Sequence, residues 1–138
     1  MTTGGIPSYR PTLMGSTHAI SSGHYLATAA GYRILEQGGN AIDAGVAAGI
    51  AINVVLPGAT SFGGVAPILI YDINQDKVES ISGLGRWPRT ASAAHFLENR
   101  RGGIPQGVER MVVPAAADAW MTALIEHGTF SFEQVVTP

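Results

Sequence analysis

The chain has 138 residues, of which 46% are hydrophobic and 13% are charged. This composition is typical of a core-rich globular protein and excludes a disordered segment. The length fits one domain or part of one. The formal net charge of −2 gives no reason to expect a nucleic-acid partner, and the doublet Arg100-Arg101 is interpreted as part of a solvated loop. The absence of cysteine excludes disulfides, thiolate nucleophiles and zinc-thiolate sites.

The N-terminal residues 1–14 are rich in glycine and proline and are expected to form a flexible arm, with residues 15–138 as the folded part. The arm lacks the apolar run of a signal peptide, so the expected location is cytoplasmic. The most apolar stretch, residues 44–56, is shorter than the roughly 20 residues of a membrane span, and no membrane partner is expected. Thr2 would become N-terminal if Met1 were removed, but nothing around it would hold a nucleophile in place.

The first predicted elements are a short strand over residues 17–22 and a helix over residues 25–37. The small and apolar residues of this helix recur at helical spacing and predict one buried face. Gly38 or Gly39 supplies the left-handed residue that ends many helices.

The second predicted helix covers residues 41–56 and has small or apolar residues on every side. Asn40 is positioned to cap it, and Asp43, three residues later, completes a capping box. A helix without a polar face is buried on several sides. Gly45 and Gly49 are expected to let neighbouring backbones approach closely.

The rest of the sequence alternates strand and helix patterns, so we expect an α/β or α+β fold. The predicted elements are, in order, a loop (58–64), a buried strand (66–72), its hairpin partner (77–83), a helix (90–101), a short strand (110–114), a helix (115–128) and a last helix that begins after a Ser131/Gln134 capping box. The sequence stops one turn into that helix, which is more typical of a fragment than of a complete domain.

The motifs of common catalytic and metal sites are absent from the sequence. The four histidines form neither HxH nor HExxH, so they are expected at the surface or in helix caps, and no metal site is predicted. The glycines of "SFGGV" match neither a P-loop nor GxGxxG. No GxSxG elbow is present either.

Arg86 is the main binding candidate, because it lies between two glycines and the bulky Trp87-Pro88, directly after a predicted strand. A guanidinium offers a planar fork that matches a carboxylate, whereas lysine would offer a point charge. The alternative interpretation is a surface arginine stacked on Trp87.

Several segments occur together in a recognisable order. They are "ILEQGGNAIDAGVA" (34–47), the strand ending "IYD" (70–72), Pro88 followed eight residues later by Phe96, and "VVPAAADAW" (112–120). From about Gly15 onward this order resembles the N-terminal region of the large subunit of the γ-glutamyltransferase family. "ILEQGGNAIDAGVA" is the most specific part of the resemblance.

The resemblance implies an N-terminal-nucleophile hydrolase with a four-layer αββα sandwich, of which only the N-terminal portion is present here. Such enzymes are made as proenzymes that cut themselves into a large and a small subunit. The nucleophile is the threonine at the new N-terminus of the small subunit, so no catalytic residue is expected in this chain. No metal or organic cofactor is expected. The implied partners are the remainder of the large subunit, the small subunit and a small-molecule amide or γ-glutamyl substrate.

This chain departs from the family pattern at the expected carboxylate clamp. Typical transferases carry an arginine four residues before the proline that aligns with Pro88, and here that position is Leu84. Arg86, two residues later, is the nearest arginine and therefore the candidate substrate-binding residue. Glycines usual in the family are replaced at Val65, Ala66 and Ala115. The segment "SGLGRWPRTAS" is more similar to a divergent branch that includes oxamate amidohydrolase.

The leading hypothesis is therefore part of an autoprocessed N-terminal-threonine amidohydrolase or acyltransferase. Transfer of a γ-glutamyl group and hydrolysis of a smaller amide both remain open. The alternative is a non-catalytic scaffold or binding module with the same fold. A third interpretation, that this chain alone is a complete enzyme, lacks a coherent nucleophile set.

Overall fold

The computed structural model describes residues 11–138, which fold into helices and one two-stranded antiparallel sheet. The elements are α1 (Tyr25–Glu36), α2 (Ala41–Val55), β1 (Ile68–Asp72), β2 (Lys77–Ile81), α3 (Ala93–Arg100), a 3₁₀ helix (Val108–Arg110), α4 (Ala116–His127) and α5 (Phe132–Val136). Residues 1–10 of the predicted N-terminal arm, including Thr2, lie outside the described residues. The mixed helix and strand composition confirms the predicted α+β class.

The turn between α1 and α2 follows the predicted Gly-Gly pattern. Gly38 has a φ of 90°, in the left-handed region that favours glycine. Its N–H donates to the carbonyl of Leu35, and the N–H of Gly39 donates to the carbonyl of Ile34, both at 3.0 Å. These two bonds form a Schellman motif, which satisfies the last carbonyls of α1.

The predicted capping box at the start of α2 is confirmed. The Oδ1 of Asn40 accepts hydrogen bonds from the backbone N–H groups of Ile42 (2.8 Å) and Asp43 (3.0 Å). In return, the Oδ2 of Asp43 accepts from the N–H of Asn40 at 2.8 Å. Three of the free donors at this helix end are therefore satisfied locally.

Asp43 also joins two distant parts of the chain. Its fully buried carboxylate accepts hydrogen bonds from the N–H (3.0 Å) and Oγ1 (2.6 Å) of Thr129 and from the N–H of Phe130 (3.1 Å). Burial raises the pKa of Asp43, but the hydrogen bonds from Thr129, Asn40 and Phe130 together outweigh burial and lower it. The carboxylate is therefore ionised and ties the start of α2 to the α4–α5 linker.

Helices α1 and α2 approach each other closely at Gly31. A Cβ on Gly31 would lie 2.7 Å from the carbonyl oxygen of Ala44 and 3.3 Å from the Cβ of Ala48. The close approach predicted at Gly45 is wrong, because a Cβ there would meet nothing within 4 Å. At Gly49 the close neighbour is a side chain and not a backbone, since a Cβ there would lie 3.0 Å from the indole nitrogen of Trp120.

Helix α2 is the central element of the described residues, in contact with α1, α4 and α5. The main buried cluster draws on these four helices and contains Ile34, Ala44, Val46, Ala47, Ala116, Trp120, Ala123, Leu124 and Val135. This arrangement confirms that a helix with small residues on all sides is buried on several sides. Within residues 11–138 no helix combines the length and apolar character needed to cross a membrane.

The β-hairpin is less buried than predicted. Its register runs from the Ile68–Ile81 pair to the Asp72–Lys77 pair. Ile68 and Ile81 pack against the helical core, and Ile70 on the same face of the hairpin as Ile68 is buried. On the opposite face Leu69 is 78% exposed, since no element within residues 11–138 covers it. The prediction of a buried strand is therefore wrong for this face.

Two predicted strands are also absent from the structure. Residues 17–22 form a bend and irregular backbone, and residues 110–114 consist of the last residue of the 3₁₀ helix and the irregular backbone after it. Among the described residues β1 and β2 pair only with each other, so neither segment has a strand to pair with. Residues prone to β structure form a strand only when a partner completes their hydrogen bonds.

Candidate substrate-binding site

Arg86 lies on the surface, in the irregular segment that follows β2. Among residues 11–138 its guanidinium takes part in no ion pair. The neighbouring Trp87 packs against Phe96, with ring centroids 5.2 Å apart and an interplanar angle of 57°. The alternative interpretation stacked Arg86 on Trp87, but the Trp87 ring has an aromatic partner in Phe96.

The backbone around Arg86 is fixed from two sides. The N–H of Ala66 donates to the carbonyl of Gly83 at 2.9 Å, and the N–H of Val113 donates to the carbonyl of Arg86 at 2.8 Å. Gly85 has a φ of 75°, and a Cβ there would lie 1.9 Å from the carbonyl oxygen of Val113. Only glycine permits this approach at position 85. The exposed side chain of Arg86 therefore extends from a constrained backbone.

The glycine-rich loop before β1 is attached to the start of α4. The carbonyl of Gly64 accepts from the N–H groups of Ala115 and Ala116, each at 3.3 Å. Phe62 meets Trp120 edge to face, with ring centroids 5.4 Å apart. These contacts hold the loop against α4.

A cleft of about 270 Å³ lies between α3 and the 3₁₀ helix. Its lining is mainly apolar and consists of Pro88, Thr90, Ala91, His95, Phe96, Val108, Glu109 and Met111. Pro88 is two residues from Arg86, and Met111 is two residues from Val113, which binds the carbonyl of Arg86. The cleft and Arg86 therefore share the same pair of backbone segments.

Charged groups connect the two walls of this cleft. The carboxylate of Glu109 accepts from the Nε (2.9 Å) and Nη2 (3.1 Å) of Arg100 and from the Nε2 of His95 (2.9 Å). The hydrogen bonds from Arg100 and then His95 lower the pKa of Glu109 from 4.5 to about 2. The interpretation of Arg100 as part of a solvated loop is wrong, because Arg100 is the last residue of α3 and pairs with Glu109.

Sequence reasoning missed this cluster because its members follow no recognised spacing. Arg100 and Glu109 are separated by a glycine-containing loop, and only the fold brings them together. The histidine predictions were more successful. His24 caps α1 by accepting from the N–H of Leu26 at 3.2 Å, and His18 lies at the surface beside Glu36.

The other histidines pair with carboxylates. The Nε2 of His127 lies 3.3 Å from Glu79. Residues 11–138 contain no group of three or more His, Asp or Glu side chains arranged to hold a metal ion.

Comparison with known proteins identifies related sequences. The sequence profile described as Gamma-glutamyltranspeptidase matches residues 27–138. The chain is 33% identical over 129 residues to the Glutathione hydrolase-like YwrD proenzyme of Bacillus subtilis (strain 168), covering 92% of this chain and 24% of that protein. It is 31% identical over 134 residues to the Acylase ACY 1 proenzyme of Pseudomonas sp. (strain SE83), covering 90% of this chain and 24% of that protein.

Comparison with solved structures identifies the same family. The crystal structure of Helicobacter pylori gamma-glutamyltranspeptidase superimposes with a TM-score of 0.78 at 29% sequence identity, over 91% of this chain and 37% of that one. The described residues therefore form part of the N-terminal-nucleophile hydrolase fold. The chain spans about a quarter of the length of the curated relatives that it matches. The profile match and these similarities show that the chain belongs to the gamma-glutamyltranspeptidase family.

Proposed function

We propose that the chain forms the N-terminal part of the large subunit of an autoprocessed amidohydrolase or acyltransferase. The main support is the structural match to a gamma-glutamyltranspeptidase over 91% of the chain. Both curated relatives described above are called proenzymes, and one is called glutathione hydrolase-like and the other an acylase. In this proposal the threonine nucleophile belongs to a part of the protein outside this chain.

The reaction in this proposal proceeds through an acyl-enzyme. The hydroxyl of an N-terminal threonine attacks the amide carbonyl, and its own amine takes the proton. The leaving amine departs, and water or an acceptor amine then releases the acyl group. This chemistry needs no metal or organic cofactor. A cytoplasmic location also remains part of the proposal.

Arg86 is proposed to bind the carboxylate of the substrate. Its side chain is exposed, and it has no ion-pair partner within residues 11–138 that would compete with a substrate. Its backbone is held by Val113, which limits the conformational freedom lost on binding. A guanidinium–carboxylate pair is directional and bidentate, so it would orient the amide as well as attract it.

The position of this arginine favours a substrate that differs in shape from a typical γ-glutamyl compound. Leu84, which is 52% exposed, occupies the position of the usual clamp, and Arg86 lies two residues beyond it. A shift of the cationic group along the backbone changes the distance between the carboxylate and the scissile amide. A small amide such as oxamate and a γ-glutamyl amide are therefore the two substrates to compare.

The test is a kinetic comparison of Arg86→Ala with Arg89→Ala in the full-length protein. Loss of a charge-assisted hydrogen bond removes about 1.5–3 kcal/mol, which corresponds to a loss of about 10- to 100-fold in kcat/KM for Arg86→Ala. Arg89 is a nearby exposed arginine, and its removal controls for the general loss of positive charge. Equal activities of the two variants would contradict the assignment of Arg86.

The same experiment separates the catalytic proposal from the alternative of a non-catalytic scaffold. An enzyme hydrolyses or transfers at least one of the two amide classes, and the preferred class identifies the branch. A full-length protein that turns over neither γ-glutamyl amides nor oxamate would instead favour the scaffold.

A further inference from the structure

Arg86 is flanked by two segments that are distant in the sequence. On one side Trp87 packs against Phe96 of α3. On the other side the N–H of Val113 binds the carbonyl of Arg86. The position of Arg86 therefore depends on how α3 is placed relative to the segment that leads from the 3₁₀ helix to Val113.

Apolar packing contributes little to that placement. Of the eight residues of α3 one, Phe96, is buried, and none of the three residues of the 3₁₀ helix is buried. The loop between them, residues 101–107, contains three glycines, and Gly102 and Gly107 both have positive φ values. Such a loop does not by itself fix the distance between the two elements.

Glu109 connects the two elements directly. It lies in the 3₁₀ helix and accepts two hydrogen bonds from Arg100, the last residue of α3. It accepts a third from His95, which precedes Phe96 and contacts its ring edge to face at 5.3 Å. This bidentate and triply bonded geometry defines both a distance and an orientation.

We infer that Glu109 is a positioning residue for Arg86, and that its hydrogen bonds to α3 set the location of the carboxylate-binding guanidinium. This inference rests on the proposed function, because it assumes that Arg86 binds the substrate. Ion pairs that are partly exposed to solvent, as these are, contribute little to stability. The expected effect of Glu109 is therefore on substrate affinity more than on folding.

The first test is Glu109→Gln in the full-length protein, assayed with an amide that carries a carboxylate. We expect KM to rise about 3- to 10-fold with kcat nearly unchanged, because the lost interaction acts on binding of the substrate. Glu98→Gln is the matched control, since Glu98 is an exposed residue of α3 that lies outside the Glu109 cluster. An unchanged KM in a folded Glu109→Gln protein overturns the inference.

A double-mutant cycle distinguishes positioning from general destabilisation. If Glu109 acts through Arg86, then Glu109→Gln has no further effect on KM when Arg86 is already alanine. A purely structural role would produce the same loss of activity in both backgrounds, which would overturn the inference. If Glu109→Gln does not fold, Arg100→Lys keeps the charge and loses the bidentate geometry. A raised KM in that variant supports the inference, and an unchanged KM contradicts it.

The two proposals fail in different ways. If Arg86→Ala leaves KM unchanged, the substrate-binding assignment is wrong and the role of Glu109 is wrong with it. If Arg86→Ala raises KM but Glu109→Gln and Arg100→Lys do not, Arg86 keeps its function and only the positioning role is rejected.

Discussion

The helical core and the Arg86 region are held together by different interactions. In the core, α2 is surrounded by α1, α4 and α5, and the buried carboxylate of Asp43 joins its start to Thr129. In the Arg86 region, single backbone hydrogen bonds and an exposed ion-pair cluster hold short segments in place. The comparison implies that substitutions in the core should change stability with little change in KM, whereas substitutions around Arg86 should change KM more than stability.

The largest expected effect in the core is that of Asp43→Asn. The amide loses the negative charge, and its NH₂ group faces backbone donors that would then lack an acceptor. We expect a decrease of about 3 kcal/mol in the free energy of unfolding, measured from urea denaturation of the full-length protein. Asp118→Asn, in the exposed first turn of α4, is the control and should cost less than about 1 kcal/mol.

The pH dependence of Asp43 sharpens the same prediction. Its pKa is lowered in the folded state from the ordinary value of 3.8. The carboxylate therefore contributes its full stabilisation above that value, and the contribution is lost as the pH falls through the folded-state pKa. The stability difference between the wild type and Asp43→Asn should be constant above about pH 5 and should shrink in more acidic solution. A difference that grows on acidification would contradict this account.

The next effect is expected at Gly85, where the two regions can be distinguished directly. Gly85→Ala requires a positive φ and places a Cβ 1.9 Å from the carbonyl oxygen of Val113, so the backbone of Arg86 must move. We expect kcat/KM to fall about 10-fold, on the scale of a displaced charge-assisted hydrogen bond.

Gly102→Ala is the matched control for Gly85→Ala. Gly102 has a similar φ of 78°, but the nearest atom to its Cβ would be the Cδ2 of Leu97 at 3.7 Å. Gly102→Ala therefore introduces the same backbone strain as Gly85→Ala but no overlap with a neighbouring atom. Equal losses of kcat/KM in the two variants would show that strain alone is responsible and would remove the link to Arg86.

The smallest effects are expected from a pair of glycines in the core. Gly31→Ala brings a Cβ to 2.7 Å from the carbonyl oxygen of Ala44 and should cost about 1–2 kcal/mol by forcing α1 and α2 apart. Gly45→Ala meets nothing within 4 Å and should stabilise α2 by up to about 1 kcal/mol. Thermal denaturation of the full-length variants measures both shifts. Neither change should alter KM, and a large KM change at Gly31 would contradict the separation of the two regions.

The sequence predicted the helical core well because its signals are local. The Schellman turn at Gly38 and the capping box of Asn40 and Asp43 involve residues no more than five positions apart. The predicted helix over residues 90–101 became α3, Ala93–Arg100, with Ser92 as its cap. The bond from Asp43 to Thr129 could not be predicted, because its partners are 86 residues apart.

The strands and the surroundings of Arg86 were predicted less well, because both depend on contacts between residues that are far apart in the sequence. Residues 17–22 and 110–114 have strand-forming side chains, but a strand also needs a neighbour, which the sequence pattern does not reveal. The neighbours of Arg86 in the sequence were enough to predict it as a candidate. The backbone bond from Val113 and the cluster around Glu109 depend on how the loop after α3 folds back.

The central proposal is that this chain is the supporting part of a self-cleaving enzyme whose nucleophile lies elsewhere in the protein. The most direct measurement is gel electrophoresis of the purified full-length protein, combined with N-terminal sequencing of each band. The account predicts two polypeptides, one containing this chain and a second that begins with threonine. A single uncut polypeptide that still hydrolyses amides would contradict the claim.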